Sequence, residues 1–487
     1  MTYIKSRKGE TKPIAENFFL GTGYPLFVGV LTLVGYVTGA EMYLNAVNML
    51  LLSLGVLITR SALPLIPAFS MYIFQISTVN SPEEHVGSLY YHSPVVIGVM
   101  IGGILLVLIT LVYIIAQKGG FSKQNLLSLP LLTPSFLLAS AFLTNGAFCP
   151  EQSFADVLYG AIIAAEYFLI FYAFFIGLRG ESAERLIDYT VFSAAVMALL
   201  LSAETLHLYL TREGLFKGGE IVKEQILYGW GMWTMAGQHL AVTIPLCFLG
   251  VMRRYKTAFC LTAATLAMIS TVMTLSRNAL LVGGAAFVLC IGAACFIGKS
   301  KRLLRRILPF GIGTLLLILI AFGGRIFTLL QDYLRRGLSD NGRFELWAHG
   351  IESFLTYPLF GKGFFGIQRE LSHGCAEGFS FYPRMMHNTV VQLLGSMGIT
   401  GLFAYGYYRY KTLFAFIRRP TLEKTMLGAT LLVMIAASMI DNFLFLPKHL
   451  IFYSIVLAVA FALDSGDFAN KPNLKYLKGN EQNDISQ

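Results

Sequence analysis

The sequence predicts an all-α fold: a polytopic transmembrane helical bundle. Three observations carry this. Hydrophobic residues make up 55% of the 487 positions and charged residues only 13%, whereas a soluble chain is about a quarter charged. Apolar runs of about 20 residues, enough to cross a bilayer as a helix, recur along the chain. Lys and Arg collect in alternate connecting segments, as cytoplasmic loops do.

The apolar runs are read as about 14 spans, with 12 as the alternative. They cover residues 19–39, 42–59, 61–78, 94–116, 126–144, 153–177, 186–206, 230–251, 256–275, 277–298, 303–323, 388–410, 425–443 and 449–464. Only Arg60 and Ser61 part the second run from the third, and the seventh contains Glu204. Pro64, Pro67, Pro130, Pro134 and Pro245 fall inside runs. There they predict kinks, which neighbouring helices tolerate in lipid.

Charge sets the expected orientation. With the N-terminus inside and strict alternation, 25 of the 37 Lys and Arg residues fall on the cytoplasmic side, as the positive-inside rule requires. Seven of the remaining twelve are Arg325, Arg335, Arg336, Arg343, Lys362, Arg369 and Arg384. All seven sit in one long outside segment, 324–387. The net charge of +10 is that of a protein oriented by basic loops against anionic lipid. No basic-aromatic pattern points to nucleic acid. Lys5, Arg7, Lys8 and Lys12 precede the first run with no small-residue cleavage site, so no cleavable signal peptide is predicted. Residues 465–487 read as a disordered cytoplasmic tail.

The outside segment has a pattern of its own. Ser339-Asp340-Asn341-Gly342 reads as a turn and N-cap. Phe344, Trp347, Ile351, Phe354 and Leu355 follow at helical spacing, with Glu345, His349 and Glu352 opposite and Pro358 as the stop. This predicts an amphipathic helix that lies on the membrane surface or caps the bundle. A Gly-rich turn, 361–366, and a polar stretch then lead to His387. The six Cys residues have no metal-ligand spacing. Cys247, Cys260, Cys290 and Cys295 lie in spans. Cys149 and Cys375 fall in outside loops and form a candidate disulfide.

Three positions could carry chemistry. Arg277 follows Ser276 at the outer end of the tenth span, Arg343 opens the amphipathic helix, and His387 opens the twelfth span. Each is at the first turn of a predicted helix, where unpaired N–H groups and the dipole favour an anion. Guanidinium suits a phosphate there, because it meets the oxygens in pairs. Taken singly, Arg277 also reads as an interface anchor, Arg343 as a solvated residue and His387 as a satisfied interface histidine. Their shared level and the excess of outside Arg favour a joint function.

These motifs carry a resemblance. Thr274-Leu275-Ser276-Arg277-Asn278-Ala279, Gly342-Arg343-Phe344-Glu345-Leu346-Trp347, Tyr357-Pro358-Leu359-Phe360-Gly361-Lys362-Gly363-Phe364, and His387-Asn388 through Gln392 to Gly398-Ile399-Thr400-Gly401-Leu402 follow in order. The series resembles the O-antigen ligase and O-antigen polymerase superfamily. Gly237-Gln238-His239-Leu240-Ala241 is similar to a further feature of that family. The resemblance covers about 237 to 402 and implies three segments: a scaffold, 1–236, a ligase- or polymerase-like domain, 237–464, and the tail.

The resemblance implies a GT-C-like membrane glycosyltransferase of the bacterial cytoplasmic membrane, both termini inside and the active loop outside. It would move a glycan from undecaprenyl diphosphate to a hydroxyl of a glycan or lipid-linked acceptor, without a metal or other cofactor. Arg277, Arg343 and His387 would be catalytic. Arg335, Arg336, Lys362, Arg384 and Trp347 would contact diphosphate or glycan, although packing is favoured over that role for Trp347, as for Phe364 and Phe365. The chemistry agrees with the residues. A departing diphosphate needs charge stabilisation, which fixed guanidiniums supply. The attacking hydroxyl needs a base, and imidazole serves at neutral pH. One in-line displacement inverts the anomeric centre.

Two other readings stay open. A flippase or transporter of lipid-linked sugars has as many spans, but usually shows related halves, and this chain has no internal repeat. A cell-wall polymerase of the shape, elongation and division type would want an outside carboxylate, and Asp332, Asp340 and Glu377 offer one.

Overall fold

The structure is a computed structural model that describes residues 3–5, 11–71, 94–122, 126–217, 220–222, 225–228, 231–309, 343–371 and 385–465. It is mostly helical, with three small hairpins pairing Tyr3–Lys5 with Thr11–Pro13, Phe216–Lys217 with Glu220–Ile221, and Leu227–Tyr228 with Gly231–Met232. The N-terminal helices are α1 (Ile14–Leu20), α2 (Gly23–Thr38), α3 (Glu41–Thr59), α4 (Leu65–Met71), α5 (Pro94–Gln117) and α6 (Leu132–Leu143). Next come α7 (Phe154–Leu178), α8 (Ala183–Thr211), α9 (Trp233–Arg253), α10 (Thr257–Met273) and α11 (Arg277–Phe296). Residues 301–309 are helical too. The C-terminal part holds α12 (Arg343–Thr356), α13 (Phe364–Leu371), α14 (Thr389–Arg418), α15 (Leu422–Asp441) and α16 (Pro447–Ser465).

Among the described residues six helices are long and apolar enough to cross a membrane, or seven if the bent pair α1–α2 is one span. The six are α7, α8, α9, α11, α14 and α15. The first expected span, 19–39, is in fact that pair, bent by 67°. The run expected from 126 starts its helix at Leu132, after Leu131 in the left-handed region. Residues 72–93, most of the run 303–323 and the tail lie outside the described residues.

Local sequence explains the ends that matter. Ser276 caps α11 by accepting from the Ala279 N–H at 3.3 Å. Asn388 caps α14 by accepting from Val390 and Val391 at 2.9 and 3.1 Å. A side-chain acceptor at this place meets N–H groups that have no partner inside the helix. α15 ends where Asn442 turns left-handed (φ 54°), a conformation Asn tolerates better than most residues.

α9 is the central post. It is buried almost throughout and packs on α8, α10, α11 and α15. In lipid, close packing rather than water drives helices together, so small residues mark the contacts. A Cβ at Gly237 would lie 2.6 Å from Thr274 Oγ1 and 2.8 Å from Ala279 Cβ. Gly237 thus lets the start of α9 press against the Thr274–Ala279 motif.

The amphipathic helix exists as α12, and the structure shows which of its residues meet the bundle. Leu346, Gly350 and Ser353 are the buried residues, packed on α14. Phe344, Ile351 and Leu355 remain 66%, 47% and 72% exposed. The reason is backbone proximity: a Cβ at Gly350 would sit 2.4 Å from Val391 Cγ1. Leu346 and the small Gly350 and Ser353 make the contact, while Phe344, Ile351 and Leu355 face outward.

Candidate active site

One end of the bundle gathers the start of α9, the starts of α11, α12 and α14, and the end of α15. Asp441, the last residue of α15, joins them. Its Oδ1 lies 3.1 Å from Arg343 Nη2 and 3.4 Å from His387 Nδ1. Its Oδ2 accepts from Asn278 Nδ2 at 2.8 Å and Gln238 Nε2 at 2.9 Å. Guanidinium and imidazole are therefore no farther apart than two contacts laid end to end, about 6.5 Å. Guanidinium and amide N–H groups only donate, and an ionised carboxylate only accepts. The partner set is that of an ionised Asp441.

Exposure grades outward. The Asp441 side chain is 11% exposed, Arg343 33% and His387 42%. The carboxylate is the buried anchor, and the two cation-forming groups reach the open side. With Nδ1–H donated to Asp441, Nε2 is the ring nitrogen that points away from the carboxylate. The guanidinium has five N–H donors, and its bond to Asp441 uses one.

A second layer holds His387 in place. His387 itself is left-handed (φ 52°), a strained conformation for a residue with a Cβ, which the surroundings must enforce. The Met386 N–H donates to Gln392 Oε1 at 2.7 Å, and Asn442 Nδ2 donates to the same oxygen at 2.8 Å. Trp347 Nε1 donates to the Met386 carbonyl at 2.9 Å. Thr389 Oγ1 donates to the Ser438 carbonyl at 2.7 Å. The residues on both sides of His387 are thus tied to α12, α14 and α15. Leu275, just before the Ser276-Arg277 pair, is left-handed too (φ 55°).

The residues singled out in the sequence divide clearly. Arg343 and His387 meet on Asp441. Arg277 stands at the same end, next to Asn278, and is partly buried. Trp347 braces the segment before His387. Lys362 belongs to a separate cluster: its Nζ lies 3.3 Å from Glu151 Oε2, and the residue is only 6% exposed. Phe364 is fully buried against Phe142 and Tyr159, and Phe365 packs at the edge of Tyr159. Cys149 is a buried free thiol. Arg325, Arg335, Arg336, Arg384, Cys375, Asp332, Asp340 and Glu377 lie outside the described residues.

Residues 261–406 match the family described as O-antigen ligase. The chain thus carries a domain of the O-antigen ligase and polymerase superfamily, in a polytopic helical membrane protein. No curated protein matches the chain. The matched stretch contains Arg277, Arg343, Lys362 and His387. Asp441 and Gln238 lie outside it, yet both bond into the group that its motifs form. Sequence reasoning missed Asp441 because it ends an apolar run. The signal was there: an ionisable residue in a span is a functional candidate by default, and the alternation puts this end level with His387.

Proposed function

We propose that the chain is an integral-membrane glycosyltransferase that moves a glycan from undecaprenyl diphosphate to an acceptor hydroxyl at the outer face of the bacterial cytoplasmic membrane. The O-antigen ligase-type membrane function comes from the matched domain. The donor and the mechanism are our reading. One observation carries it: a buried carboxylate that holds a guanidinium and an imidazole on the same oxygen, at the end of the bundle where four helices start.

In this reading Asp441 orients both groups. His387 takes the proton of the attacking hydroxyl through Nε2. Its imidazolium is then stabilised by the carboxylate behind it, as in other carboxylate–histidine pairs. Arg343 and Arg277 neutralise the charge that builds on the departing diphosphate. The bond from the sugar's anomeric carbon to phosphate breaks as the bond to the acceptor oxygen forms. Displacement is in line and inverts that carbon. Guanidiniums fill the role that a divalent cation plays elsewhere, so the reaction needs no metal. Residues 237–464 act as the transferring unit, since Gln238 and Asp441 complete the site. Arg335, Arg336 and Arg384 are further contacts for diphosphate or glycan.

The test is reconstitution with a synthetic undecaprenyl diphosphate oligosaccharide in the presence of a chelator. Transfer or chain growth is expected, and His387→Ala and Arg277→Ala should abolish it at unchanged expression. Equal product from His387→Ala would remove the base. A requirement for magnesium would overturn the guanidinium account. Supplying a second lipid-linked repeat in one arm and a lipid A core in the other separates polymerase from ligase.

A further inference from the structure

Directly behind Asp441 lies a pair of buried histidines that the transfer reaction does not use. His239 and His449 are 1% and 0% exposed. His239 Nδ1 is 3.0 Å from the Met235 carbonyl, and His239 Nε2 is 3.2 Å from His449 Nδ1. A carbonyl only accepts, so His239 Nδ1 carries the proton. In the neutral ring Nε2 is then the acceptor, and His449 Nδ1–H donates to it. The polarity of the pair is fixed from one end.

The pair touches both sides of the carboxylate's support. His239 follows Gln238, whose amide bonds Asp441 Oδ2. The His449 ring stacks on Phe443 at 3.9 Å between centroids and 11° between planes. His239 meets the same ring edge-on at 5.4 Å. Phe443 is two residues after Asp441, in the turn that follows the left-handed Asn442. Asn442 in turn bonds Gln392, which also holds the Met386 N–H beside His387. The bond between the two imidazoles therefore joins α9 to α16, and both rings pack on Phe443 in the turn after Asp441.

We propose that His239 and His449 are positioning residues: their mutual bond sets where Asp441 stands, and so the aim of Arg343 and His387. The inference rests on the reading of those residues as the transfer centre. Displacing reacting groups by about 1 Å can cost about 100-fold in rate. A brace two residues from the carboxylate acts on that scale without touching substrate.

The experiment uses the full-length protein in the reconstituted assay, with activity counted per folded molecule. His449→Phe keeps a ring on Phe443 and removes the donor to His239. His449→Asn keeps a donor at the Nδ1 position. His239→Asn keeps the bond to Met235 and removes the acceptor for His449. We expect His449→Phe and His239→Asn each to lower kcat about tenfold with KM for the donor unchanged, because ground-state binding is not altered. The double variant should be no worse than either single one, because both remove one bond. His449→Asn should recover at least half of the lost activity. Should His449→Phe not accumulate as folded protein, His239→Asn carries the same test from the other side. A kcat within twofold of the parent in a folded variant, or a loss fully explained by less folded protein, overturns the proposal. Asp441→Asn run in parallel separates the two readings. If it too stays active, the transfer centre itself is wrong; if it fails while the histidine variants do not, only this inference falls.

Discussion

Arg343 and Arg409 each carry a guanidinium into a largely apolar bundle, and they differ in what meets it. Arg343 sits at the bundle end against the carboxylate of Asp441, with a third of its side chain open. Arg409 lies in the second half of α14, boxed by tyrosines. Its Nη2 donates to Tyr167 and Tyr405 hydroxyls at 2.8 and 2.9 Å. Its guanidinium carbon is 4.4 and 4.6 Å from the ring centres of Tyr405 and Tyr453. Among the described residues no carboxylate lies in ion-pair range of it. A desolvated cation over an aromatic face gains about 2 kcal/mol, and Arg409 faces several such rings. The lesson is in the partner. A carboxylate at the mouth holds a cation in place and leaves guanidinium donors on the open side. A closed box of rings spends the cation on helix packing. Tyr167 reaches the box from a π-helical turn, 166–170, inside α7, which shifts the register of that face.

The contrast can be broken most directly at Asp441. Asp441→Asn leaves shape but removes the charge that orders Arg343 and His387. We expect transfer to fall about 10,000-fold, by analogy with the loss of an orienting carboxylate behind a catalytic histidine, with normal yield of folded protein. Arg343→Lys keeps charge and loses the planar fork. A fall of about 100-fold is expected, measured as kcat in the same assay. Arg409→Met should do the reverse: kcat per folded molecule within twofold, and unfolding easier by about 2 kcal/mol, read as a lower thermal midpoint. A large loss of kcat there would make the boxed arginine part of the chemistry. The smallest effect is expected at Lys362. Glu151 is half exposed, so Glu151→Gln should cost less than about 1 kcal/mol and leave transfer unchanged. A clear loss of activity would support the expected contact of Lys362 with substrate.

The helical bundle was legible because a span leaves a long apolar trace that nothing else leaves. Arg343 and His387 were legible because one opens α12 and the other directly precedes the Asn388 cap of α14; Arg277 opens α11 at the same end. Asp441 was hidden by its position: one polar residue closing an apolar run reads as the edge of the run. Its partners come from α9, α11, α12 and α14, separated by up to 203 residues in the chain, a distance that spacing alone cannot bridge. The face of α12 that meets α14 was hidden for a related reason. Periodicity marks the large apolar side chains, while the contact with α14 uses Leu346 together with the small Gly350 and Ser353. For Trp347 the sequence favoured packing over a contact with sugar, without showing what it packs on. Its indole N–H on the Met386 carbonyl is a tertiary fact with no local trace.

The break in α14 shows why two motifs travel together. At Gly398 the backbone takes φ 65° and ψ −158°, a conformation essentially confined to glycine. The ladder opens there, and the segment 358–363 closes it. Ile399 and Thr400 N–H groups donate to the Pro358 and Leu359 carbonyls at 2.8 and 3.3 Å. The Gly395 and Ser396 carbonyls accept from Lys362 and Gly363 at 2.8 and 3.0 Å. The fit is tight enough that a Cβ at Gly361 would stand 2.3 Å from the Ser396 carbonyl carbon. Plug and socket are thus one object made from two stretches of chain. A chimera that swaps α14 alone separates them, whereas one that swaps 357–402 as a block carries the joint across intact.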